Sequence, residues 1–210
     1  MRLLVVGASG GTGRQLVAQA LERGHAVRAF LRQPARLPLE HERLEKVVGD
    51  VMDAAAVDRA VEGCDAVLSA LGHKRWLYPT RILSEGTRNV VTAMRRHGVS
   101  RLVCETALGI ADAWWRLGLY YTLFVRIFVL PFYFHDKVRQ ERIVKASGLE
   151  WVIVRPGALN NGRRRGSIRH GPRVGHWLWT VRISRADTAA FMLDQVESDA
   201  YLHQAPGVCW

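Results

Sequence analysis

Cysteine is scarce in this chain. Cys64, Cys104 and Cys209 are the only three in 210 residues, and no two stand in a C-x-x-C spacing. An odd, scattered count excludes a disulfide framework and a zinc ribbon and suits a reducing compartment, so a cytoplasmic location is expected. The apolar run Met1-Arg2-Leu3-Leu4-Val5-Val6-Gly7 ends too soon for a secretory leader. Acid is the second shortage: 19 Asp and Glu stand against 30 Lys and Arg, a formal net charge of +11. Between Glu150 and Asp187 there is no acidic residue, while Arg155, Arg163, Arg164, Arg165, Arg169, Arg173, Arg182 and Arg185 all fall there. Such a segment carries a local positive field that favours an anionic partner. The rest is ordinary: 49% hydrophobic and 23% charged residues exclude disorder, collagen and coiled coil. The length fits one domain over 1–210.

Short apolar runs alternate with helical patterns along the chain. Met1–Val6, Ala26–Leu31, Lys46–Asp50, Asp65–Leu71, Leu102–Cys104 and Trp151–Val154 read as six buried strands. Between them, Leu16, Val17, Ala20 and Leu21 share one helical face, Asp53 caps a helix reaching Val61, and further helices run over Thr80–His97 and Asp136–Ala146. Ser184 caps a last helix through Val196. This alternation predicts an α/β, Rossmann-like doubly wound parallel sheet of order 3-2-1-4-5-6. Two stretches stand outside the pattern: an apolar helical insertion after the fifth strand, 114–134, and an Arg-rich loop, 160–183.

The first strand runs into Gly7-Ala8-Ser9-Gly10-Gly11-Thr12-Gly13, which opens the first helix. Glycines in that place allow a tight turn and let backbone N–H groups approach a pyrophosphate, with the positive helix end behind them. Gly7, Ser9, Gly10, Gly11, Thr12 and Gly13 are the expected cradle. An NAD site places an acid after the second strand to accept from the ribose 2′-hydroxyl. Here Arg32 and then Arg36 follow, which suits a 2′-phosphate and so NADP(H). Asp50 and Val51 are expected at the adenine edge, and Ala70, Leu71 and Gly72 beside the cofactor ribose.

These residues carry a resemblance. With Arg36-Leu37-Pro38, Asp65-Ala66-Val67, Ser84-Glu85-Gly86-Thr87-Arg88-Asn89-Val90 and Ser147-Gly148-Leu149, the chain resembles the atypical short-chain dehydrogenase/reductases of the NmrA-like, NAD(P)H-binding group. Within that group it is similar to biliverdin-IXβ reductase/flavin reductase, over roughly 1–110 and 136–195. The resemblance implies NADPH-dependent reduction of flavins, tetrapyrroles or other conjugated small molecules. In this superfamily a Tyr gives the proton, a Lys four residues on supports it, and a Ser or Thr polarises the carbonyl. Tyr133 and Lys137 have that spacing, which puts both on one helix face. Lys137 also stands ten residues before Ser147-Gly148-Leu149, where the family keeps its Lys. The family's Ser-Ser or Thr-Ser pair is replaced by Thr106-Ala107, which leaves Thr106 as the candidate hydroxyl. Pro156, at the end of the sixth strand, counts with the cofactor residues, but Pro156-Gly157-Ala158 lacks the His that biliverdin reduction would use. His73 and His135 stand near the cleft with no metal-ligand spacing and read as surface residues.

The segment from Trp114 to Phe134 is long enough to suggest a membrane span, but a span would separate the sixth strand from the other five and would leave Arg126 near mid-membrane, at about 2.5–3.5 kcal/mol. Three readings stay open for it: a lid over a substrate, a homodimer surface, or a peripheral membrane face. The function expected is transfer of hydride from NADPH to a bulky apolar or planar small molecule: a flavin, a tetrapyrrole, a quinone or a carbonyl compound. The alternative is an NADP-binding regulator without catalysis. No metal and no specific nucleic-acid partner are expected, because the basic loop lacks interleaved stacking aromatics.

Overall fold

The computed structural model describes residues 1–73, 79–110, 115–120, 123–124 and 131–210. Its centre is a sheet of order β3-β2-β1-β4-β5-β6-β10-β8. The first six strands in chain order are β1 (Arg2–Val6), β2 (Ala26–Leu31), β3 (Leu44–Val48), β4 (Ala66–Ser69), β5 (Arg101–Glu105) and β6 (Glu150–Pro156), all paired in parallel. The expected order 3-2-1-4-5-6 is therefore present. β1 is covered on both faces because its side chains alternate: Leu3 and Val5 join one core, Leu4 and Val6 the other. The first core packs against α1 (Gly11–Glu22) and α5 (Arg185–Glu197). The second packs against α2 (Ala54–Val61), α3 (Ile82–Arg96) and α4 (Pro131–Lys145). The chain moves outward from β1 through β2 to β3 and then returns to β4 on β1's other side. That reversal leaves a crevice at the carboxyl ends of β1 and β4, where open α/β sheets bind ligands.

The caps behave as the sequence suggests at two helices. The Asp53 carboxylate accepts from Ala55 N and Ala56 N, and Ser184 Oγ accepts from Asp187 N. The sequence missed the remaining strands: β7 (Ala158–Asn160), β8 (Arg169–Gly171), β9 (Arg182–Ser184) and β10 (Gly207–Cys209). Each has only three residues, too few to show a period of two. β10 runs parallel beside β6, and β8 closes the edge antiparallel to it.

The Arg-rich loop is anchored: the Asp187 carboxylate accepts from Arg165 N, Gly166 N and Trp210 Nε1, while the Arg165 guanidinium lies 3.6 Å over the Trp210 ring. One expectation is corrected here: the insertion is shorter than expected as a separate unit. α4 starts at Pro131, not at Asp136, so Tyr133 and Lys137 share one helix; Pro at the first helical position forfeits no needed N–H. Of the remaining 114–134 stretch, Trp114, Tyr121, Thr122 and 125–130 lie outside the described residues. No helix among the described residues is long and apolar enough to cross a membrane.

Candidate active site

The glycine-rich turn sits at the carboxyl end of β1, against the start of β4's exit. Gly7 has φ +81°, and a side chain there would press a Cβ to 2.7 Å from the Ala70 carbonyl. A Cβ on Gly13 would come within 2.2 Å of the Gly7 carbonyl, so α1 reaches the turn only because both positions are bare. The open N-terminus of α1 therefore faces the crevice behind closely packed backbone, and this cradle fits a pyrophosphate. Ser9 and Gly10 form its rim, and Gly10 N donates to Gly7 O at 2.9 Å.

Arg185, the first residue of α5, lies against this cradle. A Cβ on Gly11 would meet the Arg185 Cδ at 2.4 Å, and the guanidinium donates to Asn161 Oδ1 at 2.7 Å. A cation is thus held at the mouth of α1. The sequence reading counted Arg185 only as part of the basic stretch, since its closeness to Gly11 depends on how α1 packs on α5.

Behind the cradle, Thr12 turns its hydroxyl inward and donates to Glu105 Oε1 at 3.0 Å. Glu105 ends β5 and is buried. Burial pushes its carboxyl above the usual range; the nearby Lys137 ammonium, the Thr12 hydroxyl and Arg185 pull it down without cancelling that. Lys137 comes from α4 and is 1% exposed, so its ammonium must be satisfied within the protein. It donates to the Leu71 carbonyl at 3.1 Å and to the Glu105 carbonyl at 3.0 Å, the exits of β4 and β5. Tyr133, one turn earlier, places its ring centre 5.7 Å from the same ammonium. Gly72 is the neighbour of the Tyr133 hydroxyl: a Cβ there would lie 3.9 Å from it. His73 packs edge-on against Tyr133 at 5.2 Å, and its Nε2 is 3.0 Å from Thr80 Oγ1. His73 is therefore part of the cleft wall, whereas His135 is exposed as read from the sequence.

Asp136 fixes the pose of α4. Its Oδ2 accepts from Leu83 N at 2.9 Å, and its Oδ1 accepts from Ser84 N at 3.3 Å and Ser84 Oγ at 2.5 Å. A residue of α4 thereby caps α3 and locks the helix that carries Tyr133 and Lys137.

Thr106 departs from the role expected of it. Its hydroxyl donates to Glu141 Oε1 at 2.8 Å, and Glu141 in turn takes a bidentate pair from Arg155 at 2.9 and 2.6 Å, all buried. The hydroxyl's one proton is committed to this network, so it does not polarise a substrate carbonyl in this arrangement. Cys104, beside it, is buried, which pushes its thiol up to about 12 and makes it no nucleophile at neutral pH.

At the far end, Arg32 follows β2 and its guanidinium is 3.9 Å from the Asp50 carboxylate after β3. Both side chains are largely exposed, so the pair is worth at most about 1 kcal/mol and yields readily to a phosphate. Arg36 is exposed in the single turn Pro34–Arg36. Val51 is buried against Gly86 and accepts from Asn89 Nδ2 at 2.9 Å, which makes it a wall and not a contact at an open edge. Pro156 lies on β6 opposite Val208. Ala70, Leu71 and Gly72 follow β4 at the crevice. Among the described residues no three His, Cys, Asp or Glu side chains converge as a metal site.

Comparison with known proteins decides the family. The sequence profile described as NAD(P)H-binding matches residues 7–199, nearly the whole chain. The chain belongs to this NAD(P)H-binding family. A chloroplastic protein of Arabidopsis thaliana, itself uncharacterized, is 32% identical over 94% of this chain and 73% of its own length. A 3-beta-hydroxysteroid dehydrogenase of Mycolicibacterium neoaurum is 42% identical, but over 49% of this chain and 31% of that enzyme. Two solved structures show the same fold across this chain's full length. The anaerobilin reductase ChuY of Escherichia coli O157:H7 is 22% identical with a TM-score of 0.82 over 97% of its chain. A short-chain dehydrogenase/reductase of Veillonella parvula in complex with NADP is 16% identical with a TM-score of 0.84 over 94% of its chain. The family makes the chain NAD(P)H-binding, and its fold is the one these NAD(P)-dependent reductases share.

Proposed function

We propose that this protein is an NADP(H)-dependent reductase acting on a bulky planar or apolar small molecule, such as a flavin, tetrapyrrole, quinone or carbonyl compound. The observation that carries the proposal is Lys137. A buried ammonium, held between the carbonyls that end β4 and β5 and next to Tyr133, stands on the same rim as the glycine cradle. When bound, the nicotinamide supplies the hydride. The cradle and Arg185 would hold the pyrophosphate, and Arg32 with Arg36 the 2′-phosphate. Lys137 has three N–H donors and spends two on carbonyls, so the third serves the ribose or the Tyr133 hydroxyl. Tyr133 then delivers the proton from the mouth of the cleft. His73 sets the ring's angle.

The planar-acceptor reading gains support from the missing carbonyl polariser. Hydride can pass to a stacked conjugated ring without an aligned hydroxyl. The described activity of ChuY, an anaerobilin reductase, agrees with it. The committed Thr106 hydroxyl also favours a second reading, an NADP-binding regulator without turnover. NADPH oxidation with flavin, biliverdin-type, quinone and carbonyl acceptors separates the two. Turnover with any of them, faster with NADPH than NADH, supports the reductase. Tight NADPH binding with no turnover across all four classes overturns it.

A further inference from the structure

Nine of the twelve exposed large hydrophobic side chains among the described residues fall in two short segments, 115–132 and 177–179. Scatter does not produce that distribution, and the two segments are physically joined. Leu119 N donates to Leu178 O at 3.3 Å, and His176 N donates to Arg116 O at 2.8 Å. Gly118, at φ +101°, sits so close to the Trp179 backbone that a Cβ would lie 2.7 Å from its carbonyl. The surface stands on a firm base: Leu117 is buried in a small core with Leu108, Ile110, Phe134, Val181 and Cys209. Outward from it point Trp115, Leu119, Tyr120, Trp177, Leu178 and Trp179, with Trp179 70% exposed and Tyr120 63%.

The electrostatics select what covers this face. No Asp or Glu occurs between Asp112 and Asp136 or between Glu150 and Asp187. Arg116 lies within the patch, its guanidinium 5.3 Å over the Trp115 ring, and Arg173 is exposed just before it. Trp and Tyr with Leu between them, flanked by Arg, are what a lipid headgroup boundary takes up. A second copy fits less well, because a two-fold contact through this face would bring both copies' Arg116 and Arg173 into one interface, with no acid in either segment to pair them.

We propose that this aromatic face docks peripherally on a bilayer rich in anionic phospholipid, inserting Trp177 and Trp179 to headgroup depth. The proposal does not depend on the reductase reading. The test uses the full chain in co-sedimentation with phosphatidylcholine vesicles and with vesicles doped with phosphatidylglycerol. The expected result is binding to the doped vesicles, weakened by salt, and reduced at least tenfold by the double variant Trp177→Ser/Trp179→Ser. Unchanged NADPH affinity of that variant shows that it is folded; if it is not, Tyr120→Ser, which is also exposed, takes its place. Three results overturn the proposal: no binding of the wild type to doped vesicles, equal binding by a folded aromatic variant, or a concentration-dependent dimer in sedimentation that the aromatic variant dissolves.

Discussion

The Thr12 hydroxyl donates to the Glu105 carboxyl at 3.0 Å, and the Glu105 main chain accepts from Lys137 at 3.0 Å. One buried residue thus touches both the helix that opens on the glycine turn and the buried lysine of α4. The side-chain contact fixes the rotation of α1 against β5, and the carbonyl contact fixes the ammonium. Cradle and lysine are held in one frame by a strand end that neither motif contains.

Glu105 makes stability depend on pH. Its folded carboxyl titrates above the usual range because it is buried, against the pull of Lys137, Thr12 and Arg185. A raised carboxyl stabilises the fold fully below its unfolded pKa, and that contribution is lost as pH rises through the folded value. The loss approaches about 1.4 kcal/mol per pH unit between the two. Glu105→Gln keeps an acceptor for Thr12 and removes the charge. Urea unfolding from acid to alkaline pH should show a flatter profile for the variant, with the variant the more stable at the alkaline end. Parallel profiles for the two proteins would refute this.

Lys137→Met replaces a buried ammonium by an apolar chain of similar length. It leaves two carbonyls, Leu71 and Glu105, without their donor, at a cost of about 1–3 kcal/mol in stability. The fold should survive that, while turnover falls by roughly 10²–10⁴, the usual worth of a positioned proton-transfer group. Tyr133→Phe should fall into the same range with almost no loss of stability. Stopped-flow and steady-state NADPH oxidation check both. A Lys137→Met enzyme of wild-type rate would show the lysine to be structural only.

The parts of the site legible in the sequence are those whose partners are near in the chain. The glycine turn declares itself between a strand and a helix, and Tyr133 and Lys137 by one helical turn. The parts not legible are contacts made across the fold. Asp136 caps a helix beginning more than fifty positions earlier; Arg185 reaches Gly11 only through the packing of α5 on α1. Thr106 was visible, but its partner Glu141 lies 35 residues on, and nothing local says which way the hydroxyl turns. The short strands β8 and β10 escaped because three residues of ladder carry no pattern.

Arg32 should set cofactor preference. Its pairing with Asp50 is long and exposed, so a 2′-phosphate can take the guanidinium at little cost. Arg32→Ala should weaken NADPH by about tenfold to a hundredfold, the worth of a charge-assisted bond of about 1.5–3 kcal/mol, and leave NADH nearly unchanged. Fluorescence titration of both nucleotides reads the difference. Equal affinity of the wild type for NADPH and NADH would sink the assignment.

Asp136→Asn tests whether α3 and α4 are locked together by the capping carboxylate. Asp136 accepts from two backbone N–H groups and one hydroxyl at the start of α3, where the helix dipole also favours a negative charge. Asparagine keeps one acceptor oxygen but turns an NH₂ toward the other donors, so at least one bond becomes a donor facing a donor. Loss of a cap costs about 0.5–2 kcal/mol, and for a chain of this size about 1 kcal/mol lowers Tm by roughly 2–4 °C. The melting temperature should therefore drop by several degrees. The second effect is functional. Lys137 is the next residue, and its two carbonyl contacts hold only while α4 keeps its place, so the variant should lose turnover more than it loses NADPH affinity. Glutamate at this position keeps the charge but is one methylene too long for a 2.5 Å contact with Ser84 Oγ, so it should not rescue. A variant with wild-type Tm and wild-type rate would show that Asp136 is incidental to the lysine's position.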